Sequence, residues 1–339
     1  MAEEITPDLD EVRRRLSIFF GNNQSLVERY LQVNGSKISM KAIQDLRDEF
    51  GASELATLVP EALPEATATR SNGETPIFTI ELDCPCCRTK GIPHRELRAS
   101  AMSIKNDAFL APVYFPVGKF AALNYLSVTV SVCPRCFFAS PDKKDFVQFN
   151  RTTRQHIPSQ LSTGILSEIQ DSIAERQEMV ESAHLGKDFT ACPRPLPLAI
   201  LSYQLADQRA RIESESKNSY AIYKRASYWT RIALLQRMAK FDDTSSLERS
   251  LTLFKESFYR TDFPNANCEF QSCFIIFSIY LRFGQMKEAR EYVTVMEQSK
   301  KEVEERKDPT AIQALNQWLG MSKARWEDKD NPAVWDVPH

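Results

Sequence analysis

Cys84-Pro85-Cys86-Cys87 and Cys133-Pro134-Arg135-Cys136 decide how this chain is read. Each is a C-P-x-C step directly after a stretch of strand-like sequence, 77–82 before the first and 123–132 before the second. Two residues between cysteines let a tight turn aim both sulfurs at one point. Two such turns supply the four soft ligands of a tetrahedral zinc site. The expected centre is a structural Zn2+ held by Cys84, Cys87, Cys133 and Cys136. Cys86 stands between two of these ligands. Adjacent thiolates converge poorly on one metal, so it is read as a spectator thiol, with exchange for Cys84 or Cys87 left open. His94, seven residues after Cys87, is the alternative fourth ligand, and its plainer reading is an exposed histidine. Cys192, Cys268 and Cys273 are isolated, and the last two fall on an apolar helix as small buried residues.

Around these turns the composition is that of an ordinary globular protein, 42% hydrophobic and 26% charged, so a packed core is expected. At 339 residues there is room for two or three domains of about 150 residues each. The formal net charge of −2 gives no global basic field for nucleic acid. Residues 71–150 hold 9 Lys/Arg against 7 Asp/Glu, and a Zn(Cys)4 centre of about −2 would cancel that excess. The start, Met1-Ala2-Glu3-Glu4, is acidic and has no apolar run of signal-peptide type. No window approaches the ~18 apolar residues that cross a bilayer. The expected setting is the cytoplasm with no membrane contact, where paired cysteines bind metal or do redox work.

Five segments follow. Residues 1–60 read as a helical N-terminal unit with breaks at Gly21, Asn34-Gly35 and Gly51, and 61–75 as a Pro- and Ala/Thr-rich linker. Residues 76–150 form a zinc-ribbon-like β domain with strands at 77–82, 109–115 and 123–132, and an insertion around 105–119. Residues 151–326 are read as helical throughout. One amphipathic helix is expected over 161–183, then, beyond Pro193, Pro195 and Pro197, six at 198–213, 219–240, 246–260, 268–283, 286–305 and 309–325. Their long helix, short turn, helix pattern suggests a tetratricopeptide-like hairpin array. In its best local match, Gly284 closes one helix and Ala289 lets the next approach. Residues 327–339 are a C-terminal tail, whose Val334-Trp335 is expected to tuck against the array. The fold class is therefore α+β, mostly α.

These features together resemble the bacterial family named domain of unknown function twenty-two twenty-five, over about residues 76–300. The resemblance rests on Cys84-Pro-Cys-Cys87, on Val132-Cys-Pro-Arg-Cys136-Phe-Phe-Ala139, on the stretch from Arg194-Pro-Leu-Pro to Leu205-Ala206, and on the Phe283-Gly284 to Glu288-Ala289 turn. It implies a zinc-ribbon-like part followed by tetratricopeptide-like helices, and no known catalytic activity. Where the family usually carries glycine after the second cysteine pair, this chain has Phe137, and Arg88 stands at the same place in the first. Glycine there would relieve backbone strain at positive φ.

Three functional readings compete. Thiol–disulfide exchange by Cys84 and Cys87 needs a helix directly after the pair to lower a thiol pKa, and Gly91 and Pro93 leave no room for one. Nucleic-acid binding through Arg88, Lys90, Arg95, Arg98, Arg135, Lys143 and Lys144 lacks the basic excess of a dedicated binder. Nucleophile–base motifs, phosphate loops and H-E-x-x-H are absent from the sequence. The remaining reading is a non-enzymatic scaffold or adaptor that binds a protein partner in the groove of its helical array.

Overall fold

The computed structural model describes residues 30–32, 73–150, 152–183, 185, 187–215, 219–260, 263 and 265–338. Apart from residues 30–32, the expected N-terminal helical unit lies outside the described residues, as does most of the linker. What is described is a mostly α, α+β fold of small antiparallel sheets followed by helices. Among these residues no helix is long and apolar enough to cross a membrane.

β1 (Ile77–Asp83) pairs antiparallel with β2 (Ile92–Leu97), in register from Ile77↔Leu97 to Leu82↔Ile92. The first cysteine step is the turn of this hairpin. β3 (Met102–Asn106) and β4 (Pro112–Pro116) form a second hairpin that overlaps the expected insertion. Its tip is tightly built: buried Asp107 accepts from the backbone N–H of Phe109 (2.9 Å) and of Ala111 (2.7 Å) and is ion-paired to Arg237. Burial holds the Asp107 carboxyl above its usual range, against the pull of Arg237. The tip plugs into the helical core, where Phe109 stacks on Trp335 of the tail at 6.0 Å.

The strand expected over 123–132 survives only as β5 (Ser131–Val132), paired with β6 (Ala139–Ser140) across the second cysteine step. Before it, Tyr125–Ser127 is a 3-10 turn. Ser127 Oγ donates to the Asn124 carbonyl at 2.7 Å and Thr129 Oγ1 to the Tyr125 carbonyl at 2.9 Å. Hydroxyl side chains thus take carbonyls that a ladder would use. The alternating Leu126, Val128, Val130 and Val132 are all buried, so the pattern reported burial rather than pairing.

The part read as helical from residue 151 begins with a strand. β7 (Val147–Asn150) and β8 (Gln155–Ile157) complete a four-stranded sheet in the order β2-β1-β7-β8. The single helix expected over 161–183 is two, α1 (Thr163–Asp171) and α2 (Ile173–Ser182), broken at Ser172. The six later helices fall where the apolar period put them: α3 (Leu196–Glu215), α4 (Ser219–Met238), α5 (Thr244–Arg260), α6 (Ala266–Arg282), α7 (Met286–Arg306) and α8 (Pro309–Glu327). α6 is apolar on all sides because it packs against α5, α7 and α8. Gly284, at φ +72, ends it, with Gln285 N–H returning to the Tyr280 carbonyl at 2.9 Å.

Candidate metal centre

The two cysteine steps have one backbone geometry. In the first, Cys84 N–H bonds the Thr89 carbonyl (2.8 Å) and Arg88 N–H the Cys84 carbonyl (3.1 Å). In the second, Cys133 N–H bonds the Phe138 carbonyl (2.8 Å) and Phe137 N–H the Cys133 carbonyl (3.0 Å). Arg88 and Phe137, which stand where the resemblance leads one to expect glycine, are both left-handed, at φ 60 and 55. The turn is kept and the strain is accepted. β2 and β5 bring the turns together. His94 Nδ1 is 2.9 Å from Ser131 Oγ, whose own proton goes to the Pro93 carbonyl at 3.1 Å.

The sulfurs of Cys84, Cys87, Cys133 and Cys136 all lie within 4.8 Å of one another. Cys84 and Cys136 are 3.5 Å apart and Cys87 and Cys133 3.4 Å. A tetrahedral centre with bonds of about 2.3 Å needs sulfurs about 3.8 Å apart, so a small outward adjustment suffices. Three of the four thiols are buried and Cys87 is half-buried, with Thr89 Oγ1 3.0 Å from its sulfur. Crowding sets the thiols against one another. Hydrogen bonds from Cys136 and Cys84 hold Cys133 well below the usual thiol range, while the bond to Cys133 pushes Cys84 and Cys136 up. An apolar shell that includes Leu82, Ile92, Phe138, Phe146, Ile169 and Ile212 surrounds them. This is a cysteine cluster able to hold a metal ion.

Cys86 is buried but outside the four. His94 is neither exposed nor part of the cluster: it is 5% exposed, and burial holds its imidazole below the usual range. Cys273 is buried, Cys268 half-buried and Cys192 exposed. Of the basic residues near the turns, Arg95 is buried, Lys143 pairs with Glu96 at 2.6 Å, and Arg98 bonds the Thr75 carbonyl. Arg88, Lys90, Arg135 and Lys144 remain exposed. After Cys87 comes the β1–β2 turn rather than a helix N-terminus.

Two residues that no motif marks complete the site from the helical side. Arg176 on α2 is fully buried. Its Nε donates to the Cys136 carbonyl (2.9 Å), Nη2 to the Ile169 carbonyl (2.8 Å) and Nη1 to Ser172 Oγ (2.8 Å) and Gln208 Oε1 (3.3 Å). Among the described residues no carboxylate pairs with it. Arg209 on α3, also fully buried, pairs with Asp145 at 3.1 Å and Glu213 at 2.6 Å.

The bacterial family described as uncharacterized protein conserved in bacteria (DUF2225) matches residues 77–319, which include both cysteine steps and α3 to α7. The chain belongs to this family. No curated protein and no solved structure matches it. Membership assigns no activity.

Proposed function

We propose that Cys84, Cys87, Cys133 and Cys136 hold one structural zinc ion, and that the protein is a cytoplasmic, non-enzymatic scaffold whose helical array receives a peptide of a protein partner. Convergence of four sulfurs from two matched turns into an apolar shell carries the metal assignment. Four protein thiolates close a zinc site and leave no position for substrate, which makes it structural. Arg176 fits this reading. A Zn(Cys)4 centre carries about −2, and a buried guanidinium without a carboxylate is the counter-charge it needs.

The scaffold reading rests on a cleft of about 840 Å3 along α3, α4 and α5, whose lining includes Gln204, Arg225, Trp229, Gln236 and Arg249. Arg249 stacks over the Trp229 ring at 4.8 Å. Trp229 Nε1 and Gln236 Oε1 are buried with no hydrogen-bond partner. One is a donor and the other an acceptor, the complement of a peptide bond. A tetratricopeptide-like array presents such a concave face.

Elemental analysis of the purified chain tests the metal. About one zinc per chain, lost with stability in Cys84→Ser and Cys133→Ser, is the expected result; a metal-free protein with four reactive thiols would overturn it. A photo-crosslinker at Gln204 tests the cleft. Capture that is lost in Trp229→Phe/Gln236→Leu supports it, and equal capture from Lys301, on α7, refutes it.

A further inference from the structure

Arg95 on β2 and Arg194 just before α3 are 6% and 3% exposed, and both grip the same loop. Arg95 Nη2 donates to the Thr190 carbonyl, and Arg194 Nε to the preceding carbonyl, Phe189, at 2.8 Å. The two guanidiniums hold consecutive carbonyls of one loop and repel one another. Each keeps a buried N–H with no partner, Nη1 of Arg95 and Nη2 of Arg194. Arg194 Nη1 has only Ser202 Oγ, at 3.5 Å. The next residue on α3, Tyr203, is fully buried and its hydroxyl is also unpartnered.

Among the described residues no carboxylate lies within ion-pair distance of either arginine. Glu96, next to Arg95 in sequence, is taken by Lys143 at 2.6 Å, and Asp188, the nearest to Arg194, by the Thr190 N–H (2.9 Å) and hydroxyl (2.5 Å). Burial and then the neighbouring Arg95 push Arg194 down to about 10, still far above neutrality, so its charge persists. Water satisfies a stray N–H, but it does not neutralise two buried like charges. Elsewhere in the core this molecule answers the same problem with carboxylates, Asp145 and Glu213 on Arg209. An uncompensated buried charge is strongly destabilising.

We infer that Arg95 and Arg194, with Tyr203 beside them, form a binding site for a small inorganic anion, over which residues 188–193 close. The unpartnered donors are enclosed, which restricts the ligand to an ion of the size of chloride or phosphate rather than the end of a bulky molecule. Phe189, whose carbonyl Arg194 holds, packs at 6.1 Å on Phe137, which directly follows Cys136. The bound anion therefore fastens this loop over the second cysteine turn. The site is independent of the peptide cleft and of the identity of the metal.

The test is thermal unfolding of the full chain, as purified with its metal, in sodium phosphate, chloride and gluconate at equal ionic strength. A saturable rise of about 3 °C or more in phosphate or chloride over gluconate is expected. Response to phosphate alone assigns an oxyanion site, and response to both a general one. Arg194→Leu should abolish the rise. Ser202→Asp, which sets a carboxylate beside Arg194, should also abolish it, and serves if the leucine variant does not fold. Identical melting of the wild type in all three salts, or an undiminished rise in the Ser202→Asp protein, would overturn the site.

Discussion

Arg88 and Phe137 occupy equivalent left-handed positions at opposite cost. A side chain at such a φ costs about 1–2 kcal/mol that glycine avoids. Arg88 is exposed, so only the strain is at stake there. Phe137 is 5% exposed and packs against Phe189, so its ring contributes more than its backbone costs. Arg88→Gly is expected to stabilise the protein by about 1 kcal/mol, and Phe137→Gly to destabilise it by about 2–3 kcal/mol, the cavity outweighing the relief. Chemical denaturation of the metal-loaded proteins measures both. Two changes of the same sign would show that the turns are not equivalent. The sequence shows the departure from glycine at both positions. That one residue is solvated and the other buried follows from Phe189, some fifty residues away in the chain.

At the scale of elements, the break between α1 and α2 has a use. An unbroken helix over 161–183 would engage the Ile169 carbonyl in its own ladder. The break at Ser172 frees that carbonyl for Arg176 and turns the guanidinium toward the Cys136 carbonyl. α2 thereby braces the second cysteine turn, as outer partners brace metal ligands generally. Arg176→Met keeps the length of the side chain and removes its bonds and charge. It should weaken zinc affinity by about 10–100-fold in a chelator competition, with the cysteines intact. An unchanged affinity would reduce Arg176 to a packing residue. The apolar stripe Ile165, Leu166, Ile169 and Ile173 predicts helix correctly on both sides of the break. It carries no sign of the break itself, because the competing bonds come from side chains that fold back from α2.

Across the whole molecule, the cores ignore the change from strands to helices. One gathers Phe109 from the β3–β4 tip with α4 to α8 and Trp335. Another joins Val130, Val132, Phe137 and Ala139 to α3 and α4. A further cluster among the described residues sets the cysteines against Ile169 of α1 and Ile212 of α3. Metal removal should therefore be felt by the helices. Chelation is expected to lower the melting temperature of the helical circular dichroism signal, in one transition shared with near-ultraviolet signals. A helical signal that melts unchanged after zinc loss would show the cysteine-bearing part to be an independent unit.

The readable part of this protein was whatever one segment decides alone. The 3.6-residue period set six helices within a few residues, and the C-P-x-C spacing named the four cysteines that the fold brings together. Both depend on neighbours close in sequence. The same logic misplaced the strand before Cys133 and passed over β7 and β8, because alternation reports burial and only a partner strand makes a ladder. It was blind to Arg176, Arg209, Arg95 and Arg194. A charged residue reads as solvent-facing from sequence alone, since burying it is unfavourable until groups from elsewhere compensate it. For Arg176 and Arg209 these are the Cys136 carbonyl and Asp145, and the Phe189–Thr190 carbonyls hold Arg95 and Arg194 without neutralising them, all brought to the arginines only by the tertiary fold.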